Sequence, residues 1–233
     1  MKKARVSIVA GLAVAALTVW APRAEAVLLL PGSSVTPVPI VALDATPDRV
    51  AFIEDGALVG NLWSATYTTA VYRDETNPFC NGCLTFMYQV TNNADSDSEF
   101  GRVAMFSFAG FQTDVGQNPG PYDDIFDAGV QDSIQADRGN APGPDVGFDF
   151  SAPNANTGTG TTAEIEPGET SYILVIRTDA TNWTDGFIDV INGGTDTEPA
   201  FQPAVVPEPA SLALLGLGFL GTGLAARRAR RKQ

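Results

Sequence analysis

The chain has 233 residues, 14 Lys plus Arg against 27 Asp plus Glu, and no His, giving a formal net charge of −13. Without His, the Ser-His-Asp and Cys-His arrangements of nucleophilic catalysis are excluded. Residues 27–206 hold five Arg, no Lys and 25 acids, a net of −20, which also excludes a Ser-Lys dyad and repels nucleic-acid phosphates.

Residues 1–26 read as a secretory signal peptide. Lys2, Lys3 and Arg5 form a basic start, Val6 to Trp20 is apolar, and Ala24-Glu25-Ala26 fits the small-x-small rule for signal peptidase. Cleavage after Ala26 would begin the mature chain at Val27, on the far side of the translocon and the membrane. Residues 27–47 read as an irregular leader.

Residues 48–194 show no long helical periodicity. Short runs rich in β-branched and aromatic residues alternate with Gly, Pro, Asn and Asp, the pattern of strands. The clearest runs are Leu62 to Tyr72, Leu84 to Thr91, Val103 to Phe111, Val146 to Phe150, Ser171 to Thr178 and Phe187 to Ile191. Period-two alternation puts Trp63, Ala65, Tyr67, Thr69 and Val71 on one face, and likewise Leu84, Phe86, Tyr88 and Val90, and Tyr172, Leu174 and Ile176. Val103 to Phe111 is apolar on both faces and predicts a central strand. Asn118 to Gly147 and Asn154 to Thr162 read as loops, Asn192-Gly193-Gly194 as the end of the last strand, and Thr195 to Val206 as a linker. The prediction is all-β: a single antiparallel β-sandwich ectodomain between an N-terminal signal peptide and one C-terminal transmembrane helix.

The two cysteines are Cys80 and Cys83, bracketing Asn81-Gly82. An exported protein favours a disulfide, and residues flanking an Asn-Gly turn sit within bonding reach. A redox site would want a helix after the pair; the residues that follow read as strand. Asp95, Asp97 and Glu99 in one loop, and Asp123, Asp124 and Asp127 in another, are candidate calcium ligands, because calcium takes six to eight oxygens from flexible acids and carbonyls. Neither group has the spacing of the known calcium loop. No other cofactor is expected. Two carboxylates across a cleft could hydrolyse a glycoside, but nothing in the sequence pairs them, so a non-enzymatic role is expected.

The tail carries the most specific signal. Pro207-Glu208-Pro209 is followed by the uncharged Ala210 to Ala226, then by Arg227, Arg228, Arg230, Arg231 and Lys232 within residues 227–233. As a helix, residues 210–226 would span about 25 Å, within the range for a membrane segment. The basic cluster would stay cytoplasmic as a stop-transfer signal. An ordinary single-pass anchor would look similar. The order Val206-Pro207-Glu208-Pro209-Ala210-Ser211, then Leu212 to Gly218, then an Arg-rich segment, resembles the PEP-CTERM sorting signal at residues 207–233. That resemblance implies recognition of Pro207, Glu208 and Pro209 by an exosortase, a membrane protease or transpeptidase. It further implies an inner-membrane precursor facing the periplasm, delivery to the surface or matrix of a Gram-negative bacterium, and association with exopolysaccharide in a biofilm. A calcium-dependent carbohydrate-binding or adhesive module is the alternative role for the ectodomain.

Overall fold

The computed structural model describes residues 27–40, 43, 48–151, 164–192 and 195–205. The strands are β1 (Val27–Leu28), β2 (Ser34–Val35), β3 (Val38–Pro39), β4 (Asp48–Val59), β5 (Ser64–Asp74), β6 (Cys83–Asn92) and β7 (Arg102–Met105). They continue with β8 (Thr113–Asn118), β9 (Gln135–Arg138), β10 (Val146–Asp149), β11 (Ile173–Thr178), β12 (Asn182–Ile191) and β13 (Thr195–Ala204). The first sheet runs β1-β8-β11-β6-β5-β4, with β3 also on β8; the second runs β13-β12-β7-β10-β9-β2. All pairings between strands are antiparallel except β3 with β8. This is the all-β sandwich expected, with one parallel exception.

The two sheets meet across a core that follows the alternation in the sequence. Trp63, Ala65, Tyr67 and Val71 of the β4–β5 region, Leu84, Phe86, Tyr88 and Val90 of β6, and Leu174 and Ile176 of β11 all face it. Val103, Met105, Val146 and Phe148 meet them from the second sheet. Each buried Val, Leu, Ile, Phe or Met among them contributes roughly 1.5–3 kcal/mol by leaving water. Tyr172 precedes β11 and is only half-buried.

A second apolar layer explains why β6 and β11 are buried on both faces. Ala70, Tyr72, Met87, Ile173 and Val175 line the outer face of the first sheet, and Ile40, Phe126, Tyr122 and Ile125 cover them. The leader and the acidic loop therefore supply a lid for that face. Gly116 on β8 permits the close approach, since a Cβ there would meet the Ile40 side chain at 2.4 Å.

Several expected boundaries need correction. Residues 27–47 are not an irregular leader throughout: β1 and β3 join the first sheet and β2 the second, with Leu29 fully buried. Residues 195–206 are not simply a linker, because Thr195–Ala204 pairs along its whole length with β12. The last strand is thus β13, and Asn192-Gly193-Gly194 lies between two paired strands. The run Val103 to Phe111 holds its strand only to Met105. Ser107 and Gly110 take φ of 69° and 86°, bending the chain from the second sheet to the first while Phe108 stays in the core. Asn118 to Gly147 contains β9, whose pairing with β10 is polar on its outer side.

Candidate functional site

The sorting residues follow directly from β13. Only Val205 and Val206 separate Ala204 from Pro207. β13 is the edge strand of its sheet, yet it is bonded to the other sheet as well. The Tyr67 hydroxyl donates to Pro199 O and the Tyr88 hydroxyl to Phe201 O, each at 2.7 Å, and Val59 N–H donates to Asp196 Oδ2 at 2.7 Å. Burial raises the pKa of both tyrosines, so they remain protonated donors. Residues 199, 201 and 203 share the backbone direction that points away from β12, and two of the three are Pro, which has no N–H. The edge is thereby a poor template for another strand.

Pro207, Glu208 and Pro209, the stop-transfer residues Arg227, Arg228, Arg230 and Arg231, and the signal-cleavage residues Ala24 and Ala26 lie outside the described residues. The expected transmembrane helix 210–226 lies outside them too. Among the described residues no helix is long and apolar enough to cross a membrane.

Cys80 and Cys83 are bonded, with Cα atoms 5.2 Å apart. Cys83 N–H donates to Cys80 O at 3.2 Å, and Gly82 has φ 77°. These values define a β-turn that needs glycine at its third position. The turn does not close a two-residue hairpin, because Asp74 is the residue paired with Cys83. Asp74 fixes the longer connection instead: its Oδ1 accepts from Thr76 N–H and Oγ1, and its Oδ2 from Thr85 Oγ1.

The candidate calcium acids are not gathered around a common centre. Asp95 Oδ1 faces the Ser64 hydroxyl at 3.3 Å, while Asp97 and Glu99 are exposed. Asp123 and Asp124 both turn to Arg49, at 3.3 Å each, and Asp127 contributes backbone bonds to Gln89. Among the described residues no three His, Cys, Asp or Glu side chains converge as metal ligands.

Sequence reasoning missed what the five arginines of residues 27–206 do. Arg102 lies flat over Gly147 and bridges Asp149 (2.7 Å) and Asp137 (2.9 Å from Nη2). Burial works against ionisation of Asp137, but the Arg102 guanidinium outweighs it and holds that carboxyl below its usual range. Arg177 sits 3.5 Å from Asp74, and the exposed Arg73 donates to Thr181 O at 3.5 Å. Arg138 is 4 % exposed, and among the described residues its bonds are to backbone carbonyls. It donates to Gly143 O, Leu29 O, Phe108 O and Phe111 O at 2.6–3.2 Å. Scarcity was the available signal: five cations among 25 acids are placed where the fold needs them.

Comparison with protein families decides the nature of the tail. Residues 205–231 match the family model of the PEP-CTERM protein-sorting motif. The chain carries a PEP-CTERM sorting motif. Such a motif implies exosortase as processing partner, and export to the surface of Gram-negative bacteria. No curated protein matches the chain, and no solved structure does.

Proposed function

We propose that this is a non-enzymatic surface or extracellular-matrix protein of a biofilm. It would leave the cytoplasm by the general secretory route, lose residues 1–26 to signal peptidase, and be held in the inner membrane by residues 210–226 until exosortase acts near Pro207-Glu208-Pro209. The PEP-CTERM match at residues 205–231 carries this reading. The sandwich would then associate with exopolysaccharide. Its acidity supports a hydrated, soluble matrix component, and the absence of His and Lys from residues 27–206 leaves little for acid–base or nucleophilic chemistry. Replacing Pro207, Glu208 and Pro209 together by Ala tests the processing step: the variant should accumulate in the inner-membrane fraction. Undiminished appearance at the surface refutes it. Retention of the purified ectodomain on polysaccharide from the native cells tests the matrix role, and free passage through such a column refutes that part.

A further inference from the structure

The strand directions sort the loops of the sandwich into two ends of different chemistry. Ala204 pairs with Asn182, so the tail leaves from the end where β12 begins. That end is shared by the finish of β11 at Thr178, the finish of β5 at Asp74 opposite Cys83, the start of β8 at Thr113, and the finish of β9 at Arg138. Leu29 belongs to the same end, since its N–H donates to Thr113 O and its carbonyl accepts from Arg138.

Charge separates this end from the other. Its connections at 29–33, 75–82, 106–112, 139–145 and 179–181 contain three acids, Glu75, Asp145 and Asp179, and the exposed Asp48 starts β4 opposite Arg73 at the same end. The opposite end carries Asp95, Asp97, Glu99, Glu164, Glu166 and Glu169 in only two connections. There the charges crowd: burial first, and the neighbouring Glu99 next, raise the pKa of Glu164. Exposed apolar side chains occur at both ends, Val59, Leu62 and Val130 at the acidic one, so charge is what distinguishes them. Leu28 and Leu30 are 48 % and 57 % exposed and Val205 is 77 % exposed, all at the tail-bearing end. Five strand spacings separate β13 from β2, so the end of the second sheet is about 24 Å wide.

We propose that the tail-bearing end of the sandwich rests on the lipid headgroups of the bilayer that receives the tail, with the acidic end pointing away. The inference rests on the reading that residues 210–226 span that bilayer. Residues 205–209 can bridge at most about 18 Å when fully extended, which keeps the domain at the surface. Charge selects the end that turns down. The acidic connections lie about 30 Å away along β12, some three to four Debye lengths from anionic headgroups. The reverse orientation would press six carboxylates against them. Leu28, Leu30 and Val205 reach the interface in the proposed orientation and would bury apolar surface there.

Fluorescence from one tryptophan at a time tests the orientation in full-length protein reconstituted into phosphatidylethanolamine–phosphatidylglycerol vesicles carrying a headgroup-located spin-label quencher. W20F with W63F leaves Trp183, which pairs with Pro203 beside the tail. W20F, W63F and W183F with L62W place a reporter at the opposite end, where Leu62 is 62 % exposed. Emission of Trp183 is expected to fall on adding quencher lipid, while the reporter at position 62 keeps its intensity. Equal quenching of both, quenching of neither, or quenching at position 62 alone overturns the proposal. Carbonate extraction separates the two levels: protein washed off the vesicles overturns the spanning reading as well, whereas inserted protein with unquenched Trp183 overturns only the orientation.

Discussion

Asp114 offers a quantitative test of how this fold handles its excess acid. It sits on β8 opposite Leu28 and Arg177, is 5 % exposed, and its Oδ1 has no hydrogen-bond partner among the described residues. Burial raises its pKa from 3.8 to about 6, with Arg177 pulling the other way. The folded protein therefore keeps a proton that the unfolded chain releases near pH 4. Its contribution to stability is fully present below that point and is lost as pH rises to about 6. A gap of about two units at 1.36 kcal/mol each sets an upper bound near 3 kcal/mol. Asp114→Asn keeps the shape and removes the charge, but its new amide hydrogens need acceptors, so a gain of about 1–2 kcal/mol at pH 7 is expected. Urea unfolding of the two proteins from pH 4 to pH 8 measures the difference. Other acids with raised pKa, Asp149 and Asp189 among them, act in both proteins and cancel. The variant's advantage should grow between pH 4 and 6 and then level off. An advantage that is absent, or that does not change with pH, refutes the assignment of the buried charge to Asp114.

Arg138→Met removes four bonds to backbone carbonyls and the cost of a buried cation together; a net loss of about 3–4 kcal/mol in urea unfolding is expected, and a loss under about 0.5 kcal/mol would show those carbonyls to be satisfied otherwise. Replacing Cys80 and Cys83 together by Ser should lower stability by about 1–2 kcal/mol, because so short a loop constrains the unfolded chain only modestly; a loss above about 4 kcal/mol would point to a larger role for the turn. Calcium should leave the thermal midpoint where EGTA leaves it, because Asp123 and Asp124 face Arg49 and no three acids converge among the described residues. A calcium-dependent rise of several degrees would require a site that binds only the native state.

The alternating faces of β5, β6 and β11 were legible because buried faces on a sheet impose a period of two, and Leu84, Phe86, Tyr88 and Val90 display it without interruption. β13 was hidden by composition. Pro199 and Pro203 argue against a strand wherever both edges are paired, but on an edge strand they face outward and remove only donors that have no partner. β4 was obscured by its two register shifts, between Arg49 and Ala51 and between Ile53 and Gly56, which break the alternation that a pattern reading depends on. β1, β2 and β3 are each two residues long. No periodicity fits in that length, and their pairing depends on strands far along the chain.

The candidate sites divide along the same physical line. A sorting motif is recognised as extended sequence, so Pro207-Glu208-Pro209 and its basic partner region are readable without coordinates. Acids are different, because the meaning of a carboxylate depends on which cation the fold brings to it. Asp123 and Asp124 stand next to each other and suggested a metal, while Arg49, which occupies them, lies 74 residues away from the first. Arg102 joins Asp137 and Asp149 over separations of 35 and 47 residues. With five arginines committed to the fold and no Lys or His in residues 27–206, the exposed charge of the ectodomain is nearly all carboxylate. A partner of its polar surface must therefore bring hydrogen-bond donors or cations of its own, which polysaccharide hydroxyls and matrix counter-ions both supply.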